Sequence, residues 1–273
     1  MTKHAEKLLV TLEDGIKRIS FNRPERRNSV DAETLQLLLA AIKESGNDGT
    51  QAVILSGAGD SFCAGADLAA TSASDIANYD VTTAIRENVN PTILAMRTLS
   101  VPIIARVHGH AVGVGFNYAL ACDLIIASEQ ALFGQVFVKI GLMPDGGSTF
   151  FLPRLIGYHK TFELMATGEQ IGAHEAHALG IVNQVVPFAE LDATVDTLAA
   201  RLAQSPRVAI AKIKAGLNRE TQAELAAALD FEAINQDACF HSPDFLEGVA
   251  AFMQKRKAVF GKAAGDGETH GRV

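Results

Sequence analysis

Two short apolar runs, 8–12 and 16–21, flank Glu13-Asp14-Gly15 and predict a β-hairpin. A charged loop follows, Asn22-Arg23-Pro24-Glu25-Arg26-Arg27-Asn28. Leu35, Leu38, Leu39 and Ile42 then recur at helical spacing. They predict a helix reaching about Ser45, capped by Ser29 or Asp31. Residues 52–55 read as a buried strand entering a Gly/Ser loop at 56–61. Residues 69–79 are small, polar and weakly patterned, and read as a mobile loop. A helix over 82–99 and a strand over 102–107 lead into the Gly-rich stretch 109–115. A helix begins at 117–121, and 124–127 is a further strand.

Beyond Gly146 the pattern turns helical: 150–156, 160–167, 173–179, 190–204, 207–217, 225–240 and 244–257. One short strand, 184–186, interrupts it. The organisation expected is a βα core over 1–190, a helical region over 191–260, and a Gly- and charge-rich tail, 261–273, that is disordered.

Composition narrows the function classes. The chain has 273 residues, 48% hydrophobic and 20% charged, with a net charge of −7. That is ordinary globular usage, and its acidity argues against nucleic-acid or anionic-membrane partners. The three cysteines, Cys63, Cys122 and Cys239, are widely spaced and form no ligand cluster. Neither a disulfide framework nor a metal site is expected, and reduced thiols suit the cytoplasm. No apolar run approaches the ~18 residues of a membrane span.

Three segments carry candidate chemistry. In Phe62-Cys63-Ala64-Gly65-Ala66-Asp67-Leu68 small residues allow a ligand or another backbone to approach. The alternative is a tight loop packed on the core. Gly109-His110-Ala111-Val112-Gly113-Val114-Gly115 lies between a strand and a helix, an arrangement that aims N–H groups at an anion. It is also the setting of a dinucleotide fingerprint, but the third glycine is missing. A plain close-packed turn is the third reading. In Gly141-Leu142-Met143-Pro144-Asp145-Gly146-Gly147 a single acid heads an apolar segment. Asp145 is either a helix cap or a base. Were the three segments to meet, one acid would face two N–H donors, which is what proton transfer beside a carbonyl requires. The histidines read as structural: His108 and His110 satisfy turn carbonyls, and His174 and His177 have no third ligand.

Taken in order, these blocks resemble the crotonase superfamily of enoyl-CoA hydratases and isomerases. The resemblance is carried by residues 22–29, 61–68, 109–123 with its Ala119-Leu120-Ala121-Cys122-Asp123 end, 133–154 and 173–186. It implies an α/β fold: a crotonase-like ββα spiral core with a C-terminal helical trimerisation region, the chains forming homotrimers or hexamers. It implies an acyl-CoA substrate and no separate cofactor, since coenzyme A belongs to the substrate. The family's oxyanion hole falls on the N–H groups of Ala66 and Val114. The CoA adenine falls on Ala64, Ala66, Asp67, Leu68 and Ala69. The segment holding Arg27 supplies basic contacts to the CoA phosphates, and Lys257 is a C-terminal base placed to reach a neighbouring subunit's ligand.

The departures concern the reaction. Water-adding members carry two glutamates, and their positions fall on Asn117 and Phe137, neither of which exchanges a proton. The acid eight residues after Phe137, Asp145, occupies the place used by double-bond isomerases and by a dehalogenase branch. The pattern looks most like phenylacetate-pathway ring-opening isomerases and Δ3-Δ2-enoyl-CoA isomerases. The expectation is a single-base isomerase, with Phe137 and Leu142 as apolar walls. Asn117 orients the acid, orients the thioester, or fills space. The alternatives are a hydratase with another water route, an aryl-CoA enzyme with Asp145 as nucleophile, and a noncatalytic CoA- or RNA-binding member.

Overall fold

The structure is a computed structural model and describes residues 6–67 and 79–261. Strands β1 (Leu8–Glu13) and β2 (Ile16–Phe21) form the expected antiparallel hairpin. Helix α1 (Ala32–Glu44) follows, and the Asp31 carboxylate accepts from the Thr34 N–H at its head. β3 (Ala52–Gly57), β4 (Ile103–Val107), β6 (Leu124–Ser128) and β9 (Gln184–Val186) extend the sheet in the order β1-β2-β3-β4-β6-β9. From β2 onward all neighbours are parallel.

Both faces of this sheet are covered, as parallel strands require. Val53, Leu55, Ile103, Ala105, Ile125 and Ala127 point into the main core. Ile54, Ile104 and Ile126 point the other way, onto Leu191, Val195 and Ala199 of α6 (Phe188–Ala203). The two-residue period of a strand thus feeds two separate cores.

A second sheet, β5 (His110–Val112), β7 (Leu132–Gly134) and β8 (Gln170–Gly172), stands beside the first. Isolated parallel bridges continue its pattern, Cys63 to Ala111 and Val30 to Ala66. Successive turns of the chain give one strand to each sheet and then a helix. α2 comprises Val81–Ala84, a π-helical stretch Ile85–Val89, and Asn90–Thr98. α3 is Val114–Ala121. α4 is Ser148–Thr167, kinked at Gly157, which separates the two helices read from the pattern.

After α5 (Ala173–Ala178) and α6 come α7 (Arg207–Asn218), α8 (Gln222–Phe240) and α9 (Pro243–Met253). α8 folds back over the core and packs on α2 and α4. Among the described residues no helix is long and apolar enough to cross a membrane.

Three strands differ from the sequence reading. Residues 110–112, read as part of a turn, form β5, and β7 and β8 had no counterpart. Each has three residues, too few for alternation to register. The loop expected over 69–79 lies outside the described residues except for Tyr79, as does the tail beyond Gly261.

Candidate functional site

The spiral lays the 62–67 segment against the 109–114 segment. The Cys63 N–H donates to His110 O at 2.9 Å, and the Val112 N–H donates to Cys63 O at 3.1 Å. Gly113 has φ 58° and ψ −135°, a conformation only glycine adopts without strain. It turns the chain from β5 into α3. A Cβ placed on Gly65 would stand 3.8 Å from the Val114 N. The two Gly-rich segments are therefore in contact.

The direction of the two amides follows from their pairing. In the bridge to Val30, Gly65 supplies the carbonyl and Asp67 the N–H. Ala66 between them turns its own N–H to the opposite side. Val114 is the first residue of α3, so its N–H has no acceptor within the helix. Among the described residues neither N–H meets an acceptor.

The third segment reaches the same place. A Cβ on Gly146 would lie 3.3 Å from Val114 Cγ2 and 3.3 Å from Asn117 Nδ2. Asn117 is fully buried, donates to the Asp145 carbonyl at 2.5 Å, and accepts from Gln135 Nε2 at 2.7 Å. Its amide thus ties α3 to the backbone of the acid. Phe137 is buried, and its ring edge lies 3.8 Å from a Cβ built on Gly113. The Leu142 N–H donates to Phe137 O at 3.1 Å, so the two apolar side chains come from one loop.

Asp145 does not cap α4, which corrects the cap reading. The N-cap position is Gly147, with no side-chain cap bond. Asp145 is 8% exposed as a residue; Oδ2 accepts from Gln236 Nε2 at 3.1 Å, and Oδ1 is buried without a partner. Burial, then the nearby Glu232 charge, push its pKa up to about 7 against the single Gln236 hydrogen bond. The Tyr118 hydroxyl is also buried and unpartnered, and burial, then Cys63 and Asp145, keep it neutral.

Glu232 and Gln236 were missed by sequence reasoning. Glu232 accepts from the Gly147 N–H at 2.7 Å, the Thr149 N–H at 2.9 Å and the Thr149 hydroxyl at 2.5 Å. It does from α8 what Asp145 was expected to do locally. Gln236 also exchanges bonds with Met143, accepting from its N–H at 3.2 Å and donating to its carbonyl at 2.8 Å. A signal existed. Both residues share the stripe of the buried Leu225, Leu229, Ala233 and Phe240, and polar residues on an apolar helix face ask for a partner.

The proposed CoA residues form a second group. Ala64 donates its N–H to Arg27 O at 3.0 Å. Asp67 is held by Arg23 Nη2 at 2.6 Å. Arg27 itself is exposed. Lys257 is exposed beyond α9, and no hydrogen bond among the described residues joins it to the group. Leu68 and Ala69 lie outside the described residues. His108 behaves as read, its Nε2 2.8 Å from Gly59 O.

The spiral thus brings together two amides without acceptors among the described residues and, on a loop that touches Val114, a buried acid, Asp145. Residues 11–263 match the family described as enoyl-CoA hydratase/isomerase, and the chain belongs to it. A probable enoyl-CoA hydratase of Rhodobacter capsulatus is 36% identical over 91% of this chain and 95% of its own length. A 1,2-epoxyphenylacetyl-CoA isomerase of Escherichia coli is 35% identical over 93% of this chain and 98% of its own. The crystal structure of an enoyl-CoA hydratase from Mycobacterium avium subsp. paratuberculosis matches with a TM-score of 0.86 at 36% identity, covering 95% of this chain and 100% of that one. The fold is thus the crotonase fold.

Proposed function

We propose that the protein is an enoyl-CoA isomerase that moves a double bond with Asp145 as its single base. One observation carries the reading: among the described residues, Asp145 is buried with an unpartnered oxygen, on a loop that touches Val114 at the start of α3. Its flanks, Asn117 and Phe137, are an amide committed to backbone and an aromatic ring. Water addition by the two-glutamate route of the family needs acids at both places.

In the proposed step the ionised Asp145 takes a proton from C4 or C2 of the acyl chain. The electron pair moves into the thioester, whose oxygen becomes negative between the N–H groups of Ala66 and Val114. Each such donor contributes about 3 kcal/mol to the transition state. The protonated Asp145 then returns its proton to the other carbon, and the dienolate collapses to the shifted enoyl thioester. The apolar neighbours Phe137 and Leu142 keep water from quenching the intermediate.

The names of the relatives divide between hydratase and isomerase, so the test compares the two reactions. Wild type should isomerise a 3-enoyl-CoA, and Asp145→Asn should lose turnover by about 10³-fold or more while CoA affinity stays. Rapid loss of the conjugated absorbance of a trans-2-enoyl-CoA at ordinary enzyme concentration would overturn the isomerase assignment.

Exposed apolar residues recur on the late helices: Val208, Ile213 and Leu217 on α7, Phe231 and Ile234 on α8, Phe252 and Met253 on α9. This distribution supports self-association through the helical region. A solution mass of three or six chains is the expected result of light scattering.

A further inference from the structure

We propose that Glu232 is a positioning residue for this site: its carboxylate, gripping the head of α4 through three donors, fixes the Asp145 loop and strengthens Asp145 as a base. The proposal rests on the reading of Asp145 as the base, and it deepens that reading by naming what sets the strength of the acid.

Two carboxyl groups share one buried region. Glu232 is fully buried on α8. Its two oxygens take the Gly147 N–H, the Thr149 N–H and the Thr149 hydroxyl. These are the orphan donors of the first turn of α4, whose dipole also favours a negative charge there. Asp145, two residues before Gly147, has one donor, Gln236 Nε2, for its two oxygens. When two neighbouring acids compete for one proton, the better solvated one gives it up. Burial raises the Glu232 carboxyl as well, and its three donors pull it back down; with three donors against one, Glu232 is the acid that stays ionised and Asp145 the one that carries the exchangeable proton.

The geometry ties the two together. Gln236 lies one turn beyond Glu232 on the same helix face. It bonds Met143 on both backbone groups and then Asp145 Oδ2. One helix face thus holds residues 143, 145, 147 and 149, and movement of α8 would move the base. The groups whose charge reaches Asp145 from packed elements are Glu232 on α8 and Tyr118 on α3. Tyr118 is neutral, which leaves Glu232 as the fixed charge. A nearby negative charge makes a carboxylate hold its proton more tightly, which suits a group that must first take a proton from carbon and then return it.

The experiment reads Asp145 directly. Infrared titration of protein carrying ¹³C-carboxyl aspartate, with Asp145→Asn to identify the band, gives its midpoint independently of turnover. The pH profile of kcat/KM on a 3-enoyl-CoA is measured beside it, in wild type and in Glu232→Gln. The expected result is a fall of the Asp145 midpoint by about one pH unit in Glu232→Gln, with the acid limb of the rate profile moving by the same amount. If the midpoint falls and the limb stays, Glu232 tunes Asp145 but Asp145 is not the base. A lower rate with an unmoved midpoint means that Glu232 is only a brace, and overturns the proposal. Should Glu232→Gln fail to fold, wild type decides alone. With ¹³C-carboxyl glutamate, Glu232 must remain ionised over the range in which Asp145 titrates, and the reverse order overturns the proposal.

Discussion

Asp145→Asn should make the protein more stable, by an amount that grows with pH. The perturbation removes one buried, half-satisfied acid. Its pKa stands at about 7 in the fold against an ordinary value of 3.8. Below about pH 4 the group is protonated folded and unfolded, and contributes nothing. As pH rises past 3.8 the unfolded chain releases the proton while the fold still holds it. Unfolding is therefore favoured step by step until the folded group ionises near 7, and the loss is then constant. At 1.36 kcal/mol per unit the cost reaches about 4 kcal/mol, of which about 3 kcal/mol accrues between pH 5 and pH 8.

The asparagine variant has no such titration. Its amide puts an unpartnered nitrogen or oxygen where the unpartnered Oδ1 now sits, so its unsatisfied-group cost is close to that of the wild type and the same at every pH. That cost is flat, so the slope is the diagnostic. Thermal melts of both proteins from pH 5 to pH 8 should show the variant gaining roughly 5–10 °C over wild type across the range. A difference that stays constant with pH would refute a raised Asp145, and with it the account of why this acid is a competent base at neutral pH.

Wild-type kcat/KM should fall below about pH 7 as Asp145 takes up its proton, read from a pH profile with a 3-enoyl-CoA. Gly113→Ala should cost at least ~1 kcal/mol, because its φ of 58° with ψ −135° is strained for alanine, and should reduce kcat by displacing the Val114 N–H; urea melts and kinetics check both. Lys214→Met should destabilise by about 3 kcal/mol, since the buried ammonium bonds Asp123 at 2.7 Å and Val101 O at 3.1 Å and Asp123 would lose its cation. Arg23→Ala, which removes the Arg23 bonds to Asp67 and to the Ser29 carbonyl, should raise KM for an acyl-CoA several-fold with a smaller change in kcat.

What the sequence discloses and what it hides divide along physical lines. β2, α1 and the late helices are visible because their apolar residues repeat over many positions. β5, β7 and β8 are not, because three residues of backbone pairing leave no period to detect. The amide pair was reachable from Gly65 and Gly113, glycines at turns where backbones touch. Asp145 and its apolar surroundings were located by sequence, but not the source of the cap beside it. Local rules favour a cap at the head of a helix, and the capping carboxylate comes instead from Glu232, 85 residues from the Gly147 N–H it receives. Tertiary supply of a cap leaves no local trace. The mark it does leave is on α8, where Glu232 and Gln236 interrupt an otherwise apolar stripe.

The late origin of that cap sets an order in time. Asp145 leaves the ribosome 91 residues before Gln236, an interval of roughly 5–20 seconds at ordinary rates of synthesis. During it the acid sits in water with ordinary strength, and the nascent chain has amides but no tuned base. Competence would arrive only with α8, whose Leu225, Leu229 and Ala233 also complete the main core.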